Sequence, residues 1–146
     1  MKNLNEKTKI TFASLKKMLK ESNEDRKRYR DEVMNDLIDF IKEMASEKDW
    51  ITAQDIIDNK DEIYDEAFVS DDVTGNGTGS YTKSAYMAEN NLVHCWDLLR
   101  DAMDTFGDDR NVLDLGPEVC DTIIRCYLLS EVMDKAIEFV VKDMPE

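Results

Sequence analysis

Several carboxylate pairs in this chain have the spacing that could bind Mg²⁺ on the face of a helix. ExxD pairs occur at Glu62/Asp65, Glu118/Asp121 and Glu131/Asp134, and an ExxE pair at Glu21/Glu24. Two such pairs facing each other could hold Mg²⁺ and support nucleotide hydrolysis. However, 13 Glu and 20 Asp among 146 residues give about two ExxD pairs by chance. A small all-α Mg-dependent nucleotide hydrolase is therefore the alternative interpretation, not the first.

A second candidate site, for binding phosphate, is the glycine-rich stretch VTGNGTGSYTKS over residues 73–84. Glycine-rich backbone that leads into a helix N-terminus can bind phosphate. The run from Gly77 to Ser84 approaches a P-loop, but Thr82 stands where a P-loop has glycine, and no buried strand precedes it. We therefore expect a tight connection between helices with residues at positive φ. As an exposed loop it is also a candidate partner contact, through Gly75, Asn76, Gly77, Gly79 and Tyr81.

Histidine and cysteine offer little metal or nucleophile chemistry. His94 is the only histidine and adjoins Cys95, but neighbours on a helix point about 100° apart and do not readily share a site. Cys120 and Cys126 are six positions apart, unlike the CxxC of zinc sites. We expect all three cysteines to be buried, reduced thiols, and we predict no metal and no cofactor.

The charge divides the chain into two parts. Residues 1–30 hold ten basic and four acidic residues, whereas residues 31–146 hold nine basic and 29 acidic ones, within a total of −14. This division predicts a basic N-terminal helical arm over 1–30 and an acidic helical bundle over 31–146. The arm could lie on its own body or on a neighbour, as in a homo-oligomer. Its candidate contact residues are Lys16, Lys17, Lys20, Arg26, Lys27, Arg28 and Arg30.

Apolar spacing predicts an all-α fold, a single helical bundle of about five helices. Helices are expected over 8–21, 25–47, from Thr52 through Ile57, 60–68, 83–106 and 117–142, with the glycine-rich loop over 70–82. Thr52 and Asp55 have the spacing of a capping box, and Pro117 stands at a favoured first-turn position. The last helix is the most apolar, so we expect it to be central. Within it, Arg125 is expected to pair with a carboxylate such as Asp121, one turn earlier.

Part of the chain resembles a known group. The block DDVTGNGTGSYT at 71–82, the helix with Ala85, Asn90, Asn91 and Trp96, and the run Ile124–Leu128 resemble small uncharacterised proteins of phages and mobile elements of gut Firmicutes. Those proteins carry a TGNxSGSYT-like motif, from which this chain departs at Thr78. The likeness covers residues 69–130. It implies a phage or mobile-element setting, but no chemistry. The N-terminus lacks the apolar core of a signal peptide, and three cysteines are too few and odd in number for a disulfide framework, so we expect the protein in the cytoplasm, here that of a bacterial host.

The function that we predict from the sequence depends mainly on the charge of residues 31–146. A body with 29 acidic and nine basic residues attracts basic protein clefts and repels nucleic acid. No run of about 20 apolar residues could span a membrane.

From the charge we predict a non-enzymatic protein that binds a host protein with a basic surface. The most specific version of this prediction is an acidic inhibitor of a nucleic-acid-handling protein, a DNA mimic of the kind found among anti-CRISPR proteins. The sequence leaves open a different protein-binding role, a structural or self-assembling protein, and charges that only confer solubility. It also leaves open a contact of the basic helix over 7–30 with DNA or RNA, which the acidic body opposes. The candidate contacts are Asp58, Asp61, Glu62, Asp65, Glu66, Asp71, Asp72, Asp108 and Asp109.

Overall fold

The computed structural model describes the backbone of residues 2–75 and 95–146, and side chains at residues 24, 26–75 and 95–146. The secondary structure of these ranges is helical, with no strand among them, which confirms the all-α prediction. The helices are α1 (Lys2–Glu47), α2 (Ala53–Asp58), α3 (Lys60–Phe68), α4 (Asp71–Thr74), α5 (Trp96–Phe106) and α6 (Pro117–Val141). A short 3₁₀ turn at Val112–Asp114 precedes α6. None of these described helices is both long and apolar enough to cross a membrane.

The first helix corrects one prediction. The two helices expected over 8–21 and 25–47 are a single helix of 46 residues, about 69 Å long. The segment between the two apolar patterns contains neither Gly nor Pro, so nothing interrupts the backbone hydrogen bonds. The expected boundary between arm and bundle at residue 30 lies inside this helix, where Tyr29 is fully buried.

The predicted helix ends in the middle of the chain are confirmed. Thr52 caps α2: its Oγ1 accepts from the backbone N–H of Asp55, and the Asp55 carboxylate accepts from the N–H of Thr52. Asn59 separates α2 from α3, and Gly107, in the left-handed conformation, ends α5. Pro117 is the first residue of α6. These signals act between close neighbours in the chain, which explains why the sequence reveals them.

Helix α6 is the centre of the fold, as predicted. It packs against each of the five other helices. Its buried side chains cover well over one stripe of its surface, as expected of a helix that packs against several others. They include Ile124, Leu128, Leu129 and Val132, all at 0% exposure. Cys95, Cys120 and Cys126 are buried free thiols, also as predicted.

Helices α1 and α6 run parallel. Tyr29 contacts Asp121, and further along both helices Asp36 and Glu32 contact Arg125. These partners are 89 to 93 positions apart in the chain. With that offset, Pro117 is level with residues 24–28 of α1. About 22 residues of α1, about 33 Å of helix, therefore precede the level at which α6 begins.

The expected glycine-rich loop begins later than predicted. Residues 71–74 form α4, whose N-terminus is capped by the Ser70 side chain. Val73 and Thr74 are buried, and this burial against the core explains a helical turn where the sequence suggests a break. The rest of the predicted loop, and the predicted helix before residue 95, lie outside the described residues.

Candidate functional site

The acidic candidates of α3 fall on two sides of that helix. Asp61 and Asp65 are exposed and lie one turn apart on the side opposite the buried Ile63 and Ala67. Side chains at this spacing have their Cβ atoms about 5–6 Å apart. Their carboxylates therefore form a short row that faces solvent.

Glu62 and Glu66, in contrast, are paired within the chain. Lys48, just after α1, places its Nζ 2.6 Å from Glu62 Oε1 and 3.8 Å from Glu66 Oε1. The hydrogen bond to Glu62 raises the pKa of Lys48. These two glutamates thus belong to the contact between α1 and α3.

Five exposed aspartates on the consecutive helices α2, α3 and α4 are grouped here under the name acidic face: Asp58, Asp61, Asp65, Asp71 and Asp72. All five are exposed, and none forms an ion pair with a Lys or Arg in the described part of the chain. They lie on the consecutive helices α2, α3 and α4. The acidic face therefore carries five carboxylates that have no ion pair with a Lys or Arg among the described residues.

The nearest basic residue in the sequence does not neutralise this face. Lys60, the first residue of α3, forms its ion pair with Asp134 of α6. The side chain of Gln54 donates to Asp58 at 2.6 Å, a neutral contact within α2. Both contacts leave the charge of the acidic face unchanged.

Asp108 and Asp109 belong to a different segment, after α5. Arg110 lies 2.6 Å from Asp108, and its hydrogen bonds lower the pKa of the Asp108 carboxyl. Asp109 is exposed. Only one of these two candidates is thus without an ion pair among the described residues.

The end of the predicted basic arm binds its own body. Arg26 contacts Asp101 of α5 at 2.9 Å, and Arg30 Nε lies 3.7 Å from Glu131 of α6. Lys27 and Arg28 are exposed. The side chains of Lys16, Lys17 and Lys20 lie outside the described residues.

Of the glycine-loop candidates, only Gly75 is described. It is buried and has φ +79° and ψ 175°, a conformation that is essentially restricted to glycine. A Cβ atom there would lie 3.4 Å from Thr122 Oγ1 and 3.7 Å from Asp121 Oδ2. The loop therefore begins in close contact with α6. Asn76, Gly77, Gly79 and Tyr81 lie outside the described residues, as does His94.

A buried polar cluster beside Gly75 was not predicted from the sequence. Arg125 has 0% exposure, and its Nε donates to the carbonyl oxygen of Val73 at 2.6 Å. Its guanidinium pairs with Asp36 and, at 3.4 Å, with Glu32. Arg125 therefore pairs with carboxylates, as expected, but these come from α1 and not from Asp121 of its own helix.

The reason is the central position of α6, whose residue 125 points into the bundle and not along the surface of its own helix. Asp121 instead accepts a hydrogen bond from the Tyr29 hydroxyl. Burial raises the pKa of Glu32 more than the nearby Arg125 lowers it. The signal in the sequence is Glu32 and Asp36, one turn apart beside the core positions of α1.

At least one member of each ExxD pair forms a different contact. Glu131 lies beside Arg30, and Asp134 pairs with Lys60. Glu62 pairs with Lys48, and Asp121 is bonded to Tyr29. In the ranges that the structure describes, no three His, Cys, Asp or Glu side chains come together in a way that could hold a metal ion.

Comparisons with protein-family models, with curated proteins and with solved structures gave no match. The functional interpretation therefore depends on the geometry of the chain itself. Among the described residues, the acidic face on α2, α3 and α4 offers exposed carboxylates without ion pairs.

Proposed function

We propose that this chain is a non-enzymatic binding protein of phage or mobile-element origin that acts in the cytoplasm of a bacterial host. Its acidic face would bind a basic surface on a host protein that handles nucleic acid, and so inhibit that protein. The observation that carries the proposal is that the lysines near the acidic face form ion pairs with other carboxylates. Lys48 and Lys60 form ion pairs away from the acidic face, which leaves its five aspartates available.

The electrostatic argument concerns both rate and selectivity. A concentrated negative surface accelerates encounter with a positively charged cleft and disfavours acidic partners. A groove that tracks the phosphates of nucleic acid is such a cleft. Carboxylates on successive helical turns, as at Asp61 and Asp65, would occupy the positions of phosphates.

Anchoring of the helices supports the same proposal. Ile56 of α2, Ile63 and Ala67 of α3, and Val73 of α4 have 0% exposure. The helices that carry the acidic face are therefore fixed to the core on their inner sides. A surface that is already ordered loses less conformational entropy when it binds.

The test is an affinity purification from a lysate of a bacterial host with matched variants. The face variant has Asp58, Asp61, Asp65 and Asp72 changed to Asn. The control variant removes the same charge from exposed residues that form no ion pair in the described chain, through Asp104→Asn, Asp114→Asn, Glu138→Gln and Glu146→Gln. Binding is repeated with competing DNA and at high salt.

We expect the wild type and the control to capture the same nucleic-acid-binding protein, which DNA or salt releases. The face variant should bind the purified target at least about tenfold more weakly, mainly through slower association. Equal loss of binding in both variants would show that only net charge matters. Equal binding by all three proteins, or no captured protein at all, would contradict the proposal.

A further inference from the structure

A groove lies between the C-terminal ends of α1 and α6, on a surface that the proposed function does not use. It has a volume of about 500 Å³, which is within the range of pockets that bind small ligands. Trp50, Ile51, Phe139 and Met144 are among the side chains that line it. Ile51 is 68% exposed and Phe139 is 51% exposed. The groove therefore offers apolar surface to a ligand.

Backbone contacts hold the walls of the groove in place. Asp49, just after α1, has φ 58°, a left-handed conformation that Asp tolerates. The N–H of Trp50 then donates to the carbonyl oxygen of Ala45 at 2.9 Å, and the N–H of Ala53 donates to the carbonyl oxygen of Pro145 at 2.7 Å. The second bond attaches the segment after α6 to the start of α2. Walls that are already ordered lose less conformational entropy when a ligand binds.

Charged side chains of opposite sign line the two ends of the groove. Lys42 and Asp49 line it from α1, and Phe139 and Asp143 line it from α6 and the residues just after it. The Nζ of Lys42 lies 5.8 Å from the centre of the Phe139 ring. Because α1 and α6 run parallel, Asp49 and Asp143 both lie farther along the two helices than this contact. The groove thus has a cationic end at Lys42 and an anionic end at the two aspartates.

These three charges have no counterion among the described residues. Lys42, Asp49 and Asp143 are exposed, and none of them forms an ion pair in the part of the chain that the structure describes. An ammonium group has three N–H donors, so Lys42 can donate to a ligand while it remains over the Phe139 ring. A ligand with one charge of each sign would therefore find a counterion at each end of the groove.

We propose that the groove binds an apolar zwitterion, an amino acid or short peptide whose carboxylate pairs with Lys42 and whose ammonium pairs with Asp49 and Asp143. The apolar body of the ligand would contact Ile51 and Phe139. A ligand with only a positive charge would be repelled by the lysine, and one with only a negative charge by the aspartates, so both are disfavoured. The proposal is independent of the proposed function, since none of these residues belongs to the acidic face.

The length of the groove favours a dipeptide over a free amino acid. Positions 42 and 49 are about 10 Å apart along the direction of α1. In a free amino acid the ammonium and the carboxylate are bonded to the same carbon atom, whereas two extended residues span about 7 Å. We therefore expect the dipeptide Leu-Phe to bind more tightly than leucine.

The test follows the fluorescence of Trp50 as ligand is added. The chain has two tryptophans, and Trp96→Phe leaves Trp50 as the only reporter. Leucine, Leu-Phe, N-acetyl-Leu-Phe and Leu-Phe amide are titrated at low salt, and calorimetry repeats each titration. The acetylated form lacks the ammonium, and the amide lacks the carboxylate. Leu-Phe should bind saturably, and each blocked form should bind about fivefold more weakly, because exposed ion pairs contribute modestly.

Two variants on the Trp96→Phe background assign the two ends. Lys42→Met should remove the preference for a free carboxylate, so that Leu-Phe and its amide bind equally. Asp49→Asn with Asp143→Asn should remove the preference for a free ammonium, and Asn tolerates the left-handed conformation at position 49. The control is Lys27→Met, about 22 Å from Lys42 along α1, which should keep both preferences. Each preference is a ratio of two affinities, so a general weakening of the groove does not imitate its loss.

The outcomes separate the proposal from its alternatives. No saturable binding of Leu-Phe or leucine, or equal affinity for the free and blocked dipeptides with the groove intact, would overturn it. So would preferences that persist in the groove variants or disappear in Lys27→Met. Tighter binding of leucine than of Leu-Phe would support the zwitterion and identify a free amino acid as its source.

Discussion

The Nε of Arg125 lies 2.6 Å from the carbonyl oxygen of Val73, and this hydrogen bond attaches α4 to the middle of α6. Val73 lies between Asp72 of the acidic face and Gly75 at the start of the glycine-rich loop. A fully buried side chain of the central helix therefore fixes the position of two surface features. The same guanidinium joins α6 to α1 through Asp36 and Glu32.

Replacing Arg125 with Met should destabilise the fold strongly. The change leaves Asp36, Glu32 and the Val73 carbonyl without their shared cationic donor in a largely buried place. Loss of one member of a buried ion pair costs about 3–5 kcal/mol, which urea denaturation would measure. Arg110→Met is the control, because Arg110 is exposed and pairs only with its neighbour Asp108. Similar losses of stability in the two variants would contradict this account of Arg125.

Gly75→Ala should destabilise the chain through its backbone. The φ of +79° and ψ of 175° cost a residue other than glycine about 1–3 kcal/mol. The new Cβ would also contact Thr122 Oγ1 at 3.4 Å. Thermal and urea unfolding would measure the loss.

Gly107 provides the comparison for that prediction. It has φ +66° and ψ 30°. A Cβ atom added at Gly107 would have open space around it, with no contact within 4 Å. Because Asn tolerates this left-handed conformation, Gly107→Asn should be much less harmful than Gly75→Asn. Equal tolerance at both positions would show that the conformation of Gly75 is not required.

Glu32→Gln should change how stability depends on pH. The ordinary pKa of Glu32 is 4.5, and burial raises it in the folded chain. Folding thus favours the protonated form of Glu32. The stability gained in this way is fully present below about pH 4.5 and is lost as pH rises through the raised pKa. Glutamine does not titrate. The wild type should therefore lose stability relative to Glu32→Gln as pH rises above about 4.5, as paired urea titrations would show. A difference that is constant, or that has the opposite sign, would contradict the raised pKa.

The native thiols should react slowly until the protein unfolds. Burial raises the pKa of Cys126 to about 11, and it also raises that of Cys120. At pH 8 a thiol with a pKa of about 11 is ionised to about one part in a thousand, and the thiolate is the reactive form. A thiol reagent should modify all three cysteines rapidly in urea but not in buffer. The Glu24→Cys variant, with an exposed thiol, should add one fast-reacting group in buffer and confirms that the reagent is active.

The helical class and several helix ends could be predicted from the sequence because they depend on neighbours in the chain. The Thr52 cap needs only Asp55, three positions later, and Pro117 begins α6 through its own ring. The end of the first predicted helix was wrong because residues 22–24 weaken the apolar pattern but contain no residue that breaks a helix. The short helix α4 was missed because the burial of Val73 against other helices, and not local propensity, stabilises it.

The sequence by itself determined the all-α class, the central apolar helix and the uneven distribution of charge. Only the tertiary structure decided which charges have partners. Lys48 pairs with Glu62 and Glu66, whereas Asp61 and Asp65 of the same helix remain exposed. Arg125 pairs with α1, 89 and 93 positions away, and not with its own helix. Ion pairs between helices depend on which faces meet in the packed bundle, and that is a property of the whole chain rather than of local spacing.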